Sequence, residues 1–332
     1  MKVIFVSPWG SARCGIRSYT RFLVGELRRL VDELWVVPHY RYAQPSRDYA
    51  RWLAGRVNAL KPDITHLQHE YGIWNPYDPS VFVEFLRLVR GRKVVTMHST
   101  GFPVESAVSG LVDAVVIHNR HMLSVFQGDK EKAFIIPHGC RPISISRGAA
   151  RRRLGIKPDT YLVGVFGFID YRKGHDIALE AYKRLRAGGV RAEMVFVGGW
   201  HSDRGNPYMA EVLRRAGELG VRATGYVSDE EFELWLGAVD VVLHPARAVS
   251  ESGIVSLALG AGKPVVAADH PALQDKPVVR YRNTEGLVKA LEELRDPGKR
   301  EEYAGRARSY AEQNSWRKVA EKHVELYRKI CS

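Results

Sequence analysis

Two adjacent cations in the second half of the chain are placed where they could act on a phosphate. In the segment VFGFIDYRKGHD (165–176), Arg172 and Lys173 follow an apolar strand-like run and precede the start of a helical pattern. A buried diphosphate needs its charge neutralised, and a fixed cation does this while it stabilises a departing phosphate group. The same spacing fits a solvated charged turn equally well, so both interpretations remain open.

A second segment, HPARAVSESGIVSLALGAGKPVVAADHP (244–271), places Glu251 beside the start of a helix of small residues. Ser250 and Ser252 are suited to cap the helix that Gly253 begins. The free N–H groups of such a helix start attract an anionic diphosphate. A glutamate in the first turn also suits the helix dipole without any ligand. Glu251 is therefore either a ligand-holding carboxylate or part of a helix start.

The first half of the chain offers two weaker candidates, each after a strand-like run. Gly15 opens a helix in SPWGSARCGIRSYT (7–20), where backbone N–H groups attract a phosphate or a polar sugar group. A flexible loop with a glycine helix start is the alternative. His98 ends the run VVTMH, from which it could donate to a developing phosphate charge or to a sugar hydroxyl. For a lone histidine, a structural hydrogen bond is the commoner role.

The elements that must position these residues alternate between strand-like runs and helical periods. The segment HGCRPISISRG (138–148) interrupts the alternation as a linker. Short, continuously apolar, β-branched runs predict parallel sheets covered on both faces by helices. We therefore predict the α/β class: two Rossmann-like, doubly wound domains, residues 1–145 and 146–315, with a cleft between them. A C-terminal helix, residues 316–332, is expected to pack back towards the first domain.

Composition limits the partners and the location. The net charge of +13, spread over both halves, favours nucleotide phosphates, a polyanionic substrate or acidic lipid headgroups, unless it only marks a well-solvated surface. No nucleic-acid-binding signature is present. The three cysteines lie far apart and the closely spaced histidines straddle strand ends, so no metal site is expected. No apolar run approaches the ~18 residues of a membrane span. The start MKVIFVSPWG is typical of a first strand, which predicts a cytoplasmic protein.

Six segments in order carry a family resemblance: CGIRSYTRFL, LQHEYGIWNP, VVTMHST, IIPHGC, VFGFIDYRKG and ESGIVSLALGAGKPVVA. Together they resemble the retaining glycosyltransferases of family 4, with the GT-B fold, over essentially the whole chain. The resemblance implies transfer from a nucleotide-diphosphate sugar with retained anomeric configuration and without an essential metal or other cofactor. It also implies that the donor binds mainly to the second domain, and a sugar, lipid-linked or polysaccharide acceptor to the first.

The resemblance also implies roles for single residues. Lys173 matches a lysine on the diphosphate, His98 a histidine near the transferred sugar, and Gly15 a glycine near the donor phosphates. Glu251 matches the first glutamate of an E-x7-E motif, which holds sugar hydroxyls. The helix start under the diphosphate is matched by Ser252, Gly253 and Ile254.

The chain departs from the family pattern at two places. A family arginine is replaced by Phe168, and Arg172 is the candidate to supply the missing cation. The second family glutamate falls at Leu257 or Leu259, and neither side chain can accept a ribose hydroxyl.

Two other functions fit the same residues. A non-catalytic binding subunit would bind nucleotide without turnover, and a sugar-nucleotide epimerase would turn over without an acceptor. The first helix also carries arginines at 17, 21, 28 and 29. These either touch an acidic membrane at its inner face or form a solvated helix face.

Overall fold

The computed structural model of the protein describes residues 1–10, 14–39, 46–75, 77–143, 145–199 and 206–332. The chain divides into two compact units, residues 1–139 with 314–332, and residues 140–313. The second unit begins before the expected boundary at residue 146 because Cys140, Ile143 and Ile145 pack on its core.

The first unit is built on a parallel six-stranded sheet with the order β2-β1-β3-β4-β5-β6. Its elements up to residue 135 are β1 (Lys2–Ser7), α1 (Gly15–Leu27), β2 (Glu33–Pro38), α2 (Arg47–Ala59), β3 (Ile64–His69), α3 (Ser80–Leu88), β4 (Arg92–Met97), α4 (Val104–Ser109), β5 (Ala114–Ile117), α5 (Arg120–Val125), a 3₁₀ turn (Lys130–Lys132) and β6 (Ala133–Ile135). Successive side chains of β1 alternate between two cores, Ile4 and Val6 on one face and Val3 and Phe5 on the other.

The second unit repeats this plan with the strand order β12-β11-β10-β7-β8-β9. Its elements are α6 (Arg147–Leu154), β7 (Tyr161–Phe166), a 3₁₀ turn (Tyr171–Lys173), α7 (His175–Ala187), β8 (Ala192–Val197), α8 (Pro207–Glu218), β9 (Arg222–Ala223), α9 (Asp229–Ala238), β10 (Val241–His244), α10 (Gly253–Gly260), β11 (Val265–Ala268), a 3₁₀ turn (Pro271–Leu273), β12 (Val279–Tyr281), α11 (Thr284–Glu293) and α12 (Pro297–Gln313). All six residues of β7 are buried, as the doubly covered sheet requires.

The chain ends in α13 (Trp316–Cys331), which belongs to the first unit. Its buried residues Trp316, Val319 and Tyr327 share a core with Tyr19 and Leu23 of α1. No helix within the described ranges is both long and apolar enough to cross a membrane.

The prediction of two doubly wound parallel sheets is confirmed. The alternation of apolar runs did not predict α4 or α6, and β9 has only two residues. β9 pairs with β8 at the edge of the sheet, where a short strand suffices.

Candidate functional site

The loops that follow β7 and β10 form the candidate site of the second unit. The two strands are neighbours and run parallel, so their carboxyl ends share one edge of the sheet. Gly174 brings the loops into contact, because a Cβ at this position would lie 2.1 Å from the carbonyl oxygen of Pro245. Its φ of +71° lies in the left-handed region that favours glycine. The absence of a side chain at Gly174 therefore allows the two loops to pack closely together.

Lys173 ends the 3₁₀ turn that this glycine completes. The Asp170 carboxylate caps the turn by accepting the Lys173 backbone N–H at 3.2 Å. The Lys173 side chain is half-buried, and no ion pair joins it to a carboxylate of the described residues. Burial lowers the pKa of Lys173, Asp170 partly restores it, and Arg172 lowers it further. A desolvated ammonium without a carboxylate partner is suited to meet a ligand's negative charge.

Arg172 and Arg247 have different surroundings on these loops. The Arg172 side chain is 76% exposed and its guanidinium lies 3.6 Å from the Asp170 carboxylate. Arg247 instead makes a two-pronged contact with Asp176, at 2.8 and 2.6 Å, and lies 4.1 Å from the ring centre of Tyr171. Its backbone N–H donates to the Arg172 carbonyl at 2.7 Å. Arg247 therefore fastens the loop after β10 to the turn that carries Lys173, a role that its sequence surroundings did not reveal.

Glu251 forms a buried ion pair with Lys276. Lys276 Nζ lies 2.9 Å from Glu251 Oε1, and the two side chains are 2% and 4% exposed. The same carboxylate oxygen accepts the Ser252 backbone N–H at 3.0 Å. Burial alone would lower the pKa of Lys276, but the Glu251 carboxylate outweighs it and raises that pKa. Lys276 comes from the turn after β11, and its spacing from Glu251 gave no sequence signal.

The helix after Glu251 begins as predicted, with Ser252 as its cap. Ser252 Oγ accepts the Val255 N–H at 3.3 Å, and Gly253 is the first helical residue. Glu251 therefore precedes the cap instead of lying in the first turn. Ile254 approaches the loop after β7, since a Cβ on Gly167 would lie 3.7 Å from its side chain. The first N–H groups of α10 are thus placed beside that loop, without partners inside the helix.

Two buried histidines lie among these charges. His244 ends β10 and is 3% exposed; burial, and after it the charge of Lys173, lowers its pKa to about 3. His175 opens α7 with a pKa lowered to about 4, chiefly by burial. Both rings are neutral at physiological pH. His244 is the last residue of β10, and His98 directly follows β4. This position at the carboxyl end of a strand is the sequence signal that could have identified His244.

In the first unit, Gly15 lies after β1 and His98 after β4, and the carboxyl ends of these parallel strands share one edge of the sheet. Gly15 is the exposed first residue of α1, and the Cys14 side chain makes no capping bond there. Residues 11–13 of the same loop lie outside the described residues. One turn into α1, the ring of Tyr19 meets His98 edge-on, with 5.0 Å between centroids. The start of α1 and the loop after β4 are therefore adjacent.

His98 is held at one ring nitrogen. Its Nε2 lies 2.9 Å from Gln68 Oε1, and its ring centre is 5.2 Å from that of His118. Burial, then the neighbouring His118 and His138, holds the pKa of His98 well below its usual value. The ring is therefore neutral at physiological pH.

The predicted residues thus gather in two groups, each within its own unit. Gly15 and His98 belong to the first unit, and the loops after β7 and β10 carry the predicted residues of the second. In the described part of the chain, no three His, Cys, Asp or Glu side chains assemble to hold a metal. At the position of the second family glutamate, both candidate residues, Leu257 and Leu259, pack in an apolar core of the second unit.

One segment of the second unit matches a known family. Residues 160–296 match the family model described as "Glycosyl transferases group 1". The matched range contains Lys173, Glu251 and Lys276.

Curated relatives are similar over part of their length. A D-inositol 3-phosphate glycosyltransferase of Actinosynnema mirum is 30% identical over 229 residues, which cover 62% of this chain and 54% of that protein. A phosphatidyl-myo-inositol mannosyltransferase of Propionibacterium freudenreichii subsp. shermanii is 32% identical over 143 residues, covering 43% and 32%. The chain thus spans about half the length, or less, of these relatives.

Solved structures share the fold over the whole chain. Anabaena Alr3699/HepE, in complex with UDP-glucose, superimposes with a TM-score of 0.78 at 16% identity, covering 99% of this chain and 100% of that one. WaaG, a glycosyltransferase involved in lipopolysaccharide biosynthesis, gives a TM-score of 0.70 at 16% identity, with coverage of 98% and 99%. At these identities the likeness establishes the fold.

Proposed function

We propose that this chain, which has the GT-B fold and whose residues 160–296 match the group 1 glycosyl transferases, transfers a sugar from a nucleotide-diphosphate sugar to an acceptor hydroxyl. The observation that carries the proposal is the pair of loops after β7 and β10. They combine a half-buried Lys173 that has no ion pair within the described residues with the start of α10, where Ser252 Oγ accepts the Val255 N–H. A cation and a helix N-terminus on adjoining loops suit a pyrophosphate.

In the proposed reaction, the bond between the sugar's anomeric carbon and the donor phosphate oxygen breaks while the bond to the acceptor oxygen forms. Lys173 and the N–H groups of Gly253 and Ile254 stabilise the charge that develops on the departing diphosphate. The leaving phosphate oxygen takes the acceptor's proton on the same face of the sugar, which retains the anomeric configuration. Glu251, buried against Lys276, holds the start of α10 through the Ser252 N–H, and the proposed reaction needs no metal.

The relatives suggest the classes of substrate. Structural neighbours include complexes with UDP and UDP-glucose, which supports a uridine nucleotide as the first donor to test. The curated relatives are glycosyltransferases of inositol phosphate and of phosphatidyl-myo-inositol. A phosphorylated or lipid-linked polyol is therefore the acceptor class that we propose, and it agrees with the net charge of +13. Peripheral contact with an acidic membrane would follow from a lipid-linked acceptor.

A nucleotide screen followed by turnover tests this function. UDP, GDP and ADP are compared by thermal shift, because a ligand of the folded state raises its apparent stability. Release of the nucleoside diphosphate from the matching nucleotide sugar is then measured with inositol phosphate and phosphatidylinositol vesicles as acceptors. We expect Lys173→Ala to lower kcat by about 100-fold, the usual effect of removing one group that stabilises developing charge.

The control variant is Lys289→Ala, because Lys289 is an exposed lysine on α11 of the same unit. We expect this variant to keep full activity. Equal rates for Lys173→Ala and wild type would refute the assigned site. Nucleotide binding without turnover on any acceptor would favour a binding subunit, and turnover of the donor without acceptor would favour an epimerase.

A further inference from the structure

A chain of buried polar side chains runs through the first unit to His98. His66 and Gln68 lie on β3, Thr96 on β4 and Tyr327 on α13, and all four are at most 1% exposed. Burying polar groups is unfavourable unless they are hydrogen-bonded to one another. Their arrangement in the middle of the sheet therefore depends on the contacts between them.

These contacts connect the C-terminal helix to His98. His66 Nδ1 hydrogen-bonds the Tyr327 hydroxyl. His66 Nε2 lies 2.7 Å from Thr96 Oγ1 and 3.4 Å from Gln68 Nε2. Gln68 Oε1 lies 2.9 Å from His98 Nε2. One glutamine side chain thus joins the two histidines.

The chemistry of the amide decides where the protons lie. An amide oxygen only accepts hydrogen bonds, so Gln68 receives an N–H from His98 Nε2. A neutral imidazole protonated at Nε2 carries a lone pair at Nδ1. At the other end, His66 Nε2 accepts the Gln68 amide N–H and the Thr96 hydroxyl, which leaves its proton on Nδ1 towards Tyr327. The donors and acceptors of the four contacts are mutually consistent.

We propose that Gln68 is a positioning residue that fixes His98 as the Nε2–H tautomer, so that His98 offers a bound ligand an acceptor at Nδ1. His66, held by Thr96 and Tyr327, keeps the Gln68 amide turned so that its oxygen faces His98. An acceptor at Nδ1 binds a sugar hydroxyl and repels a phosphate oxygen. The identity of the hydroxyl rests on the proposed function, but the tautomer does not.

The opposite arrangement defines the alternative. If the Gln68 amide were turned over, His66 would donate from Nε2 and accept at Nδ1, and His98 would carry its proton on Nδ1. His98 would then donate to a phosphate or to a sugar oxygen. The two arrangements therefore differ in a proton position that can be measured.

The test is the tautomer of His98 in the full-length protein, read by long-range ¹H–¹⁵N correlation with ¹⁵N-histidine and assigned through His98→Gln. We expect wild type to show a protonated Nε2 and an unprotonated Nδ1 at neutral pH. Gln68→Met keeps the side-chain volume but removes both amide groups, and we expect it to shift His98 to a mixture of tautomers. Thr65 lies on the same strand as Gln68, and its hydroxyl donates a separate hydrogen bond to the Arg90 carbonyl. Thr65→Val removes this bond and should leave the His98 signals unchanged.

A proton on His98 Nδ1 in wild type would overturn the inference, as would an unchanged tautomer in Gln68→Met. If that variant does not fold, Tyr327→Phe loses only a hydroxyl and should shift the His98 tautomer through His66 and Gln68. An unchanged tautomer in Tyr327→Phe would contradict the proposed role of these contacts. Absence of sugar transfer with every donor would contradict the proposed function but not the tautomer. Where transfer is found, Gln68→Met should lower kcat/KM by about 2- to 10-fold, the value of one hydrogen bond.

Discussion

The buried ion pair between Lys276 and Glu251 gives the sharpest prediction about the second unit. Lys276→Met keeps an unbranched side chain of similar length but removes the ammonium, which lies 2.9 Å from Glu251 Oε1. The carboxylate, 4% exposed, would then keep the Ser252 N–H without its opposite charge. Breaking a buried pair by removing one partner destabilises a protein by about 3–5 kcal/mol. We expect Lys276→Met to lower the free energy of unfolding by an amount in that range.

The assay is urea unfolding of wild type, Lys276→Met, Glu251→Leu and the double variant. Replacing both charges by apolar groups removes the carboxylate that Lys276→Met deprives of its ammonium, so the double variant should be more stable than Lys276→Met alone. Lys299→Met is the matched control, because that lysine is 51% exposed and 3.7 Å from Glu293. We expect the control to change the free energy of unfolding by less than about 0.5 kcal/mol.

A loss below about 1 kcal/mol in Lys276→Met would refute the reasoning, because so small a loss is typical of an exposed pair. Strict additivity of the two single variants would also refute it, since it would mean that the two charges do not interact.

Three further predictions concern the loops after β7 and β10. Gly174→Ala should destabilise by about 2–4 kcal/mol through its left-handed backbone and its contact with Pro245, whereas Gly220→Ala, at φ +68° with open space around it, should lose about 1 kcal/mol in urea unfolding. Burial would raise the pKa of Asp176, but Arg247 and Tyr208 lower it from 3.8 to about 2. The stability difference between wild type and Asp176→Asn should therefore be constant above pH 5 and shrink as the pH falls towards 2 in urea titrations; a pH-independent difference would contradict this. Ser252→Ala should lose about 1 kcal/mol in the same assay as its helix cap is removed, and no loss would show that the cap is dispensable.

The sequence predicted the two sheets because strands such as β1 and β7 are buried on both faces and are therefore largely apolar. The apolar pattern did not predict a helix whose buried anchor is a charged side chain. α6 has the sequence RGAARRRL, with no apolar periodicity. It is held by Arg151, a buried arginine paired at 2.7 Å with Asp240 and donating to several carbonyl oxygens. A pattern that counts apolar residues cannot find a helix anchored in this way.

The same reasoning separates the predicted and the missed residues of the candidate site. Lys173 and Glu251 could be singled out from the sequence because each lies in the loop that follows a predicted strand. Lys276 follows β11, and it reaches Glu251 only because β10 and β11 are neighbours in the sheet. Such a partner depends on strand order, which local spacing does not contain.

Lys173 and Lys276 show how the fold treats two cations of one unit differently. Both are desolvated, but the pKa of Lys276 is raised by a carboxylate, whereas that of Lys173 is lowered because burial is not fully offset. Lys276 therefore adds to stability. Lys173 is held in an unfavourable environment by Gly174 and by the contacts of Arg247. A charged side chain that the fold holds in an environment unfavourable for its charge is expected to bind a ligand of opposite charge. Under the proposed function, the donor's diphosphate would stabilise the Lys173 ammonium.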